Sequence, residues 1–174
     1  MTNDSPLRFD RLSVEDFNEV LDQFLDFWDH EEPKVRHHPM FVRELGDASL
    51  AVRDGDVLVG YLLGLVSSAR GDDGRPWAYV HMVAVRRSHR RRGLAGALYE
   101  RFFEHALQAG CSRVRATAAP HNRQSFDFHT AIGMRPVERG EVDGVPVVPD
   151  YFGPGKPRVV FEIDLEDRES ARHR

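Results

Sequence analysis

The chain has 174 residues, of which 41% are hydrophobic and 30% charged, so it reads as one globular domain able to bury a proper core. Its 24 basic and 28 acidic side chains leave a formal charge of −4, which argues against a general nucleic-acid binder. The single cysteine, Cys111, excludes an internal disulfide and suits a cytoplasmic location; Met1 to Pro6 does not read as a signal peptide, and no apolar run reaches the ~18 residues of a membrane span.

Leu7 to Leu12 reads as a first strand. Ser13, with Asp16 three residues on, marks a helix start, although Glu or Gln is the usual third residue of a capping box. Val14, Phe17, Val20, Leu21, Phe24, Leu25 and Trp28 recur at helical spacing and predict one amphipathic helix with an acidic outer face. His30 to His38 is a polar break, and Pro39 to Leu45 suits a second short helix. Leu50 to Arg53 and Val57 to Leu65 flank Asp54-Gly55, a hairpin signal. Ser68 to Pro76 is expected to be a flexible loop. Trp77 to Val85 is mostly apolar, as a central strand should be. Leu94, Ala97, Leu98, Phe102, Ala106 and Leu107 give a helix that Gly110 ends. Arg113 to Ala116 is a strand, and Asn122 to Ile132 a helix stopped by Gly133. Met134 to Val137 and Arg158 to Leu165 are the last two strands, separated by a Gly- and Pro-rich loop, Gly140 to Pro157. The expected organisation is one α/β domain over 1–165 with a mixed sheet, in the order β-α-α-β-β-β-α-β-α-β-β, followed by a charged, disordered tail over 166–174.

The densest chemical signal runs from Val83 to Leu98, where an apolar strand meets an arginine-rich turn and a helix begins at once. The first amides of a helix lack internal partners and can bind phosphate oxygens, with the helix dipole favouring the same charge. Gly93 and Gly96 let a ligand approach the backbone, and Arg90, Arg91 and Arg92 add forked charged donors. Neither of the common nucleotide loops, Gly-x-x-x-x-Gly-Lys-Ser/Thr or Gly-x-Gly-x-x-Gly, is present. A solvated basic patch is the bland reading; the placement between strand and helix and the net negative charge weigh against it.

Arg90-x-x-Gly93-x-Ala95 resembles the Arg/Gln-x-x-Gly-x-Gly/Ala pyrophosphate loop of the GNAT N-acetyltransferase family. Asn122-x-x-Ser125-x-x-Phe128-His129-x-x-x-Gly133-Met134 resembles a second motif of that family, Asn-x-x-Ala-x-x-Phe-Tyr-x-x-x-Gly-Phe. The element order matches too, and the resemblance covers most of the chain, most strongly from Trp77 to Met134. It implies the GNAT acyl-CoA N-acyltransferase fold, acetyl-CoA as co-substrate and no metal. By resemblance, the central strand splays from its neighbour to admit the pantetheine arm. The backbone of Val83, Ala84 and Val85 would bond the pantetheine amides. The amides from Arg91 and Arg92 through Gly93, Leu94, Ala95 and Gly96 would hold the pyrophosphate, and Asn122 and Ser125 would face the cofactor arm.

The resemblance further implies acetyl transfer to a primary amine by direct attack in a ternary complex. The family's usual acid for the departing thiolate is Tyr; here His129 stands in its place, which lowers the ordinary pKa from ~10 to ~6.5. His81, on the strand ending at Val85, matches a position where some members carry a histidine that helps remove the amine's proton, and Tyr79 lies on the same strand face. A His packed in the sheet is an equal alternative for His81. A backbone amide of Met82 to Val85 would hold the oxyanion. The alternative function is a catalytically idle CoA-binding sensor or interaction module. The acceptor is open between a small-molecule and a protein amine, and the family's frequent dimers admit a homodimer. Asp22, Asp26, Asp29, Glu31 and Glu32, with Glu141, Asp143 and Asp150 beside Tyr151, suggest an acidic rim that attracts a cationic acceptor. His37 and His38 near Glu31 and Glu32 fit no specific ligand spacing and read as loop. Cys111 lacks an identifiable activating partner and reads as structural.

Overall fold

The computed structural model describes residues 6–29 and 38–172, and two compact units emerge from it. One comprises the chain up to Val66 together with Val80–Gln108; the other comprises Ser67–Tyr79 with the chain from Ala109 onward. The fold is α/β with a largely antiparallel mixed sheet, as the element order predicts.

Strands β1 (Leu7–Arg11), β2 (Leu50–Asp54), β3 (Val57–Arg70) and β4 (Pro76–Val85) follow one another in sheet order; residues 67–70 of β3 and 76–79 of β4 are counted in the second unit and the rest in the first. Strands β1/β2 and β2/β3 pair antiparallel, and Gly55, at φ 58°, makes the turn between Asp54 and Val57. The capping box works with the shorter acid. Ser13 Oγ accepts from the Asp16 N–H and the Asp16 carboxylate accepts from the Ser13 N–H, both at 3.0 Å. Arg53 pairs with the other oxygen of Asp16. The helix expected to run from Val14 to Trp28 is two, α1 (Val14–Asp22) and α2 (Phe24–Phe27), broken at Gln23. The break turns Phe27 into the core with Phe17 and Val20 while leaving Leu25 half exposed, a choice that side-chain period alone cannot make. Helix α3 (Met40–Leu45) follows.

Helix α4 (Leu94–Gln108) buries Leu94, Leu98, Tyr99, Phe102, Phe103 and Ala106. Phe102 rests on Gly64 of β3, where a Cβ would collide with its ring. The Gly64 backbone is held by Ser49, whose hydroxyl donates to the Gly64 carbonyl and accepts from its N–H at 3.1 Å each.

In the second unit, β5 (Arg113–Ala118) pairs antiparallel with β9 (Val159–Asp164), which also pairs with the short β6 (Arg135–Pro136). Helix α5 (Arg123–Ala131) lies between β5 and β6 in sequence, and Gly133 ends its last turn at φ 91°. Three expectations change here. The stretch 68–76 is shorter as a loop, because β3 continues to Arg70 and β4 begins at Pro76. The stretch 140–157 contains a hairpin, β7 (Gly140–Val142) with β8 (Val145–Val147), turned by Asp143 and Gly144 at φ 50° and 76°. That pair of left-handed residues is the geometry Asp-Gly favours. The tail forms helix α6 (Leu165–Arg172), since the Asp164 carboxylate accepts from the N–H groups of Glu166 and Asp167 at 2.9 and 3.1 Å, Leu165 is buried, and Glu166 pairs with Arg75.

Candidate active site

The turn between β4 and α4 begins with a 3-10 turn at Arg87–His89 and then passes through two left-handed residues, Arg91 at φ 60° and Gly93 at φ 77°. The first intrahelical bond of α4 runs from the Ala97 N–H to the Gly93 carbonyl at 3.0 Å. The amides of Leu94, Ala95 and Gly96 therefore precede the helical ladder. A Cβ built at Gly93 or at Gly96 would meet nothing within 4 Å. The protein's own packing does not require glycine at 96, where the backbone is ordinary helix; the missing side chain leaves an open approach to the amides. Leu94 is buried and anchors the helix start, while Arg91 and Arg92 are exposed. Amides so exposed at a helix start can receive an anion's oxygens.

The Arg90 side chain is engaged within the protein. Its Nη1 donates to both carboxylate oxygens of Asp29 at 3.1 and 2.8 Å, its Nη2 to the Phe27 carbonyl at 2.7 Å, and its Nε to the Val85 carbonyl at 3.2 Å. The guanidinium therefore ties the turn to the end of α2. Arg86 is held in the same way, by the Leu58 carbonyl, Asp26, Gln23 and Glu19, and lies over the Phe27 ring at 4.8 Å. Arg87 donates to the Trp28 carbonyl and pairs with Asp29. The acidic rim expected on the first helix is thus partly neutralised: Asp26 and Asp29 are engaged by arginines of the turn. Arg90 holds the Asp29 carboxyl below its ordinary pKa. Glu31, Glu32 and His37 lie outside the described residues.

Val83, Ala84 and Val85 lie on β4, with Ala84 and Val85 buried. His81, two residues earlier, is half-buried, and the Phe41 ring of α3 stacks on its imidazole, with centroids 5.0 Å apart and planes 28° apart. Sequence reading missed Phe41, because nothing in its spacing announces that α3 will cross β4 at His81. Near Phe41, the His38 Nδ1 accepts from the Met40 N–H at 3.1 Å. Among the described residues, no group of three or more His, Cys, Asp or Glu side chains could hold a metal ion.

In the second unit, the Asn122 Oδ1 accepts from the Ser125 N–H at 3.0 Å and so caps α5. His129 lies one turn beyond Ser125 and is only 4% exposed. Its Nδ1 donates to the Ser125 carbonyl at 2.7 Å, with the Ser125 hydroxyl 3.2 Å away. The ring stacks on Phe161 of β9, with centroids 4.6 Å and planes 14° apart. Burial lowers the His129 pKa, only partly opposed by the Ser125 carbonyl, so the neutral ring is favoured, with its proton on Nδ1. Tyr79 and Thr117 share a hydroxyl–hydroxyl bond of 3.0 Å, and burial raises the phenol's pKa. The buried Cys111 thiol is likewise pushed up by burial, against a nucleophilic role.

Solved structures of the same fold span nearly the whole chain. Arabidopsis thaliana NAA60 in complex with acetyl-CoA superposes with a TM-score of 0.66 at 15% identity, covering 91% of this chain and 99% of the other. Ard1 from Thermoplasma volcanium gives 0.69 at 16% identity, covering 91% and 97%. The ribosomal-protein-S18-alanine N-acetyltransferase from Escherichia coli gives 0.66 at 12% identity, covering 91% and 94%. Among curated protein sequences, none matches. The sequence model of the Acetyltransferase (GNAT) family matches residues 14–134, which span both the arginine turn and the helix of His129. The chain belongs to the GNAT acetyltransferase family.

Proposed function

We propose that this acetyltransferase moves the acetyl group of acetyl-CoA to a primary amine, by direct attack in a ternary complex. The observation that carries this reading is the open, glycine-lined backbone entering α4, within a chain of this family. Acetyl-CoA supplies the thioester; the chain binds, orients and moves protons. The amides of Leu94, Ala95 and Gly96 hold the diphosphate, with Arg91 and Arg92 adding exposed charge. His81, or a water beside it, takes the amine's proton, since a protonated amine has no lone pair to attack with. A backbone amide of Met82 to Val85 holds the oxyanion. His129 gives a proton to the departing thiolate. Its Nδ1 proton is committed to Ser125, so Nε2 is the atom through which the transferable proton passes, and the imidazolium is the donating form. The reaction takes place in the cytoplasm, on a catalytic domain spanning 1–165.

The acceptor class is a small-molecule or protein amine. Relatives of the same fold include an enzyme named for a ribosomal-protein alanine and a NatC complex bound to a Gag peptide and CoA, which supports testing peptide N-termini alongside small amines. The test is release of free thiol from acetyl-CoA against a panel of both, together with the rise in Tm that acetyl-CoA produces by binding the native state. Gly96→Asp places a carboxylate where the diphosphate approaches, at a helix-start position that tolerates acid. It is expected to remove the Tm rise while leaving the Tm of the free protein within a few degrees. A full Tm rise in that variant would overturn the phosphate assignment.

A further inference from the structure

Arginine in the Arg-x-x-Gly turn invites the reading of a phosphate ligand. The guanidinium of Arg90 is otherwise employed. Each of its three nitrogens is engaged: Nε by the Val85 carbonyl, Nη1 by both oxygens of Asp29 and Nη2 by the Phe27 carbonyl. Its side chain retains 28% of its exposure. The fork can turn as a whole to a phosphate only by giving up a charge-assisted carboxylate contact and two carbonyl contacts. The partners stand at both ends of what must be fixed. Val85 is the last residue of β4, Phe27 ends α2 with Asp29 two residues beyond it, and Arg90 immediately precedes the left-handed Arg91. A left-handed backbone costs a residue with a Cβ about 1–2 kcal/mol, so an untethered chain would relax away from it. Arg86 and Arg87 add further ties to the same helix end through Asp26 and the Trp28 carbonyl.

We infer that Arg90 is a strut rather than a phosphate ligand, and that Asp29 is a positioning residue which, by holding the Arg90 fork, fixes the turn whose Gly93–Gly96 amides receive the diphosphate. This rests on the reading above that acetyl-CoA binds there. No phosphate contact comes from Arg90 itself, and Asp29, an acid beside an anion site, strengthens anion binding instead of opposing it.

The two roles for Arg90 predict opposite signs at Asp29. Acetyl-CoA is titrated calorimetrically into the full chain as wild type, Asp29→Asn, Arg90→Gln and the double variant. If the strut holds, Asp29→Asn weakens binding about tenfold although it removes a negative charge, Arg90→Gln weakens it to a similar degree, and the double variant is no worse than the weaker single one. Such non-additivity marks a single interaction. Steady-state rates then show the KM for acetyl-CoA rising about tenfold while kcat stays within about twofold, a split that general loss of folded protein does not produce. Asp29→Glu, which keeps the carboxylate, recovers part of the affinity. If Arg90 contacts phosphate directly, Asp29→Asn leaves binding unchanged or tightens it while Arg90→Gln alone weakens it, and the inference is overturned. Should Asp29→Asn fail to fold, Asp29→Ser takes its place: weaker binding supports the strut, and unchanged or tighter binding overturns it. A wild-type chain that binds no acetyl-CoA would instead refute the proposed function, which keeps the two failures apart.

Discussion

The two motif regions of this enzyme hold their polar residues by contrasting means. Along the turn into α4, Arg86, Arg87 and Arg90 meet Glu19, Asp26 and Asp29 at a partly open surface, where Asp29 keeps 57% of its side-chain exposure. Around His129, the single polar ring is 4% exposed, stacked flat on Phe161 and tied by one short bond to a carbonyl of its own helix. Charged pairs at a surface fix orientation while contributing little to stability, because water and salt screen them. A desolvated aromatic ring contributes to the core but loses its charge. The turn is therefore built for geometry, and the helix for a tuned protonation state.

The largest effect that would sharpen this contrast is kinetic. His129→Phe keeps a flat ring against Phe161 and removes the proposed proton donor. The expected result is a fall in kcat of roughly 10²–10⁴-fold with acetyl-CoA affinity little changed, read by steady-state kinetics. Full kcat at every pH would make the ring structural only. A smaller effect concerns acid stability. The folded pKa of His129 lies below its unfolded value, so the unfolded chain takes up the proton first as pH falls. Its contribution to stability is complete above the unfolded value of about 6.5 and declines as pH drops through the lowered folded one. The wild-type Tm should fall between pH 7 and pH 5 more steeply than that of His129→Phe, and parallel curves would refute the burial argument. The smallest effect belongs to the turn. Asp29→Asn should cost less than about 1 kcal/mol of unfolding free energy, as exposed pairs do. Its folded pKa is also lowered, so its contribution persists above the ordinary aspartate value near 3.9 and is lost only as pH falls through the lower folded value. A large drop in Tm for Asp29→Asn at pH 7 would show that the turn carries stability after all.

Much of this was legible in the residues. Strand and helix positions followed from apolar period, and the strand–turn–helix around Gly93 followed from composition at one place in the chain. The misses have specific causes. Asp143-Gly144 carries the same turn signal as Asp54-Gly55 but lies among enough Gly and Pro to disguise its three-residue strands. Asp164 reads as a strand end and serves as a helix cap. Trp28 continues a helical period that the chain abandons at Gln23, because Phe27 gains more by turning inward. At the candidate site, the residue types were readable and their partners were not. Arg90 finds Asp29 across 61 positions, and His81 finds Phe41 across 40, through contacts that only the assembled sheet creates.

Gly64 gives the first unit a mechanical character. Phe102 sits in the notch that the missing side chain leaves on β3, and Ser49 pins the backbone of that notch through both its N–H and its carbonyl, so α4 has a fixed seat. Helices transmit displacement along their length almost undiminished. At 1.5 Å per residue, Phe102 is about 12 Å from the start of α4 at Leu94, a span too short for bending to absorb a shift. Adding one methyl at Gly64 would lift the seat and carry the far end of the helix with it, misaligning the Leu94–Gly96 amides from a distance. The placement of the Leu94–Gly96 amides is thus set by a buried bearing eight residues away.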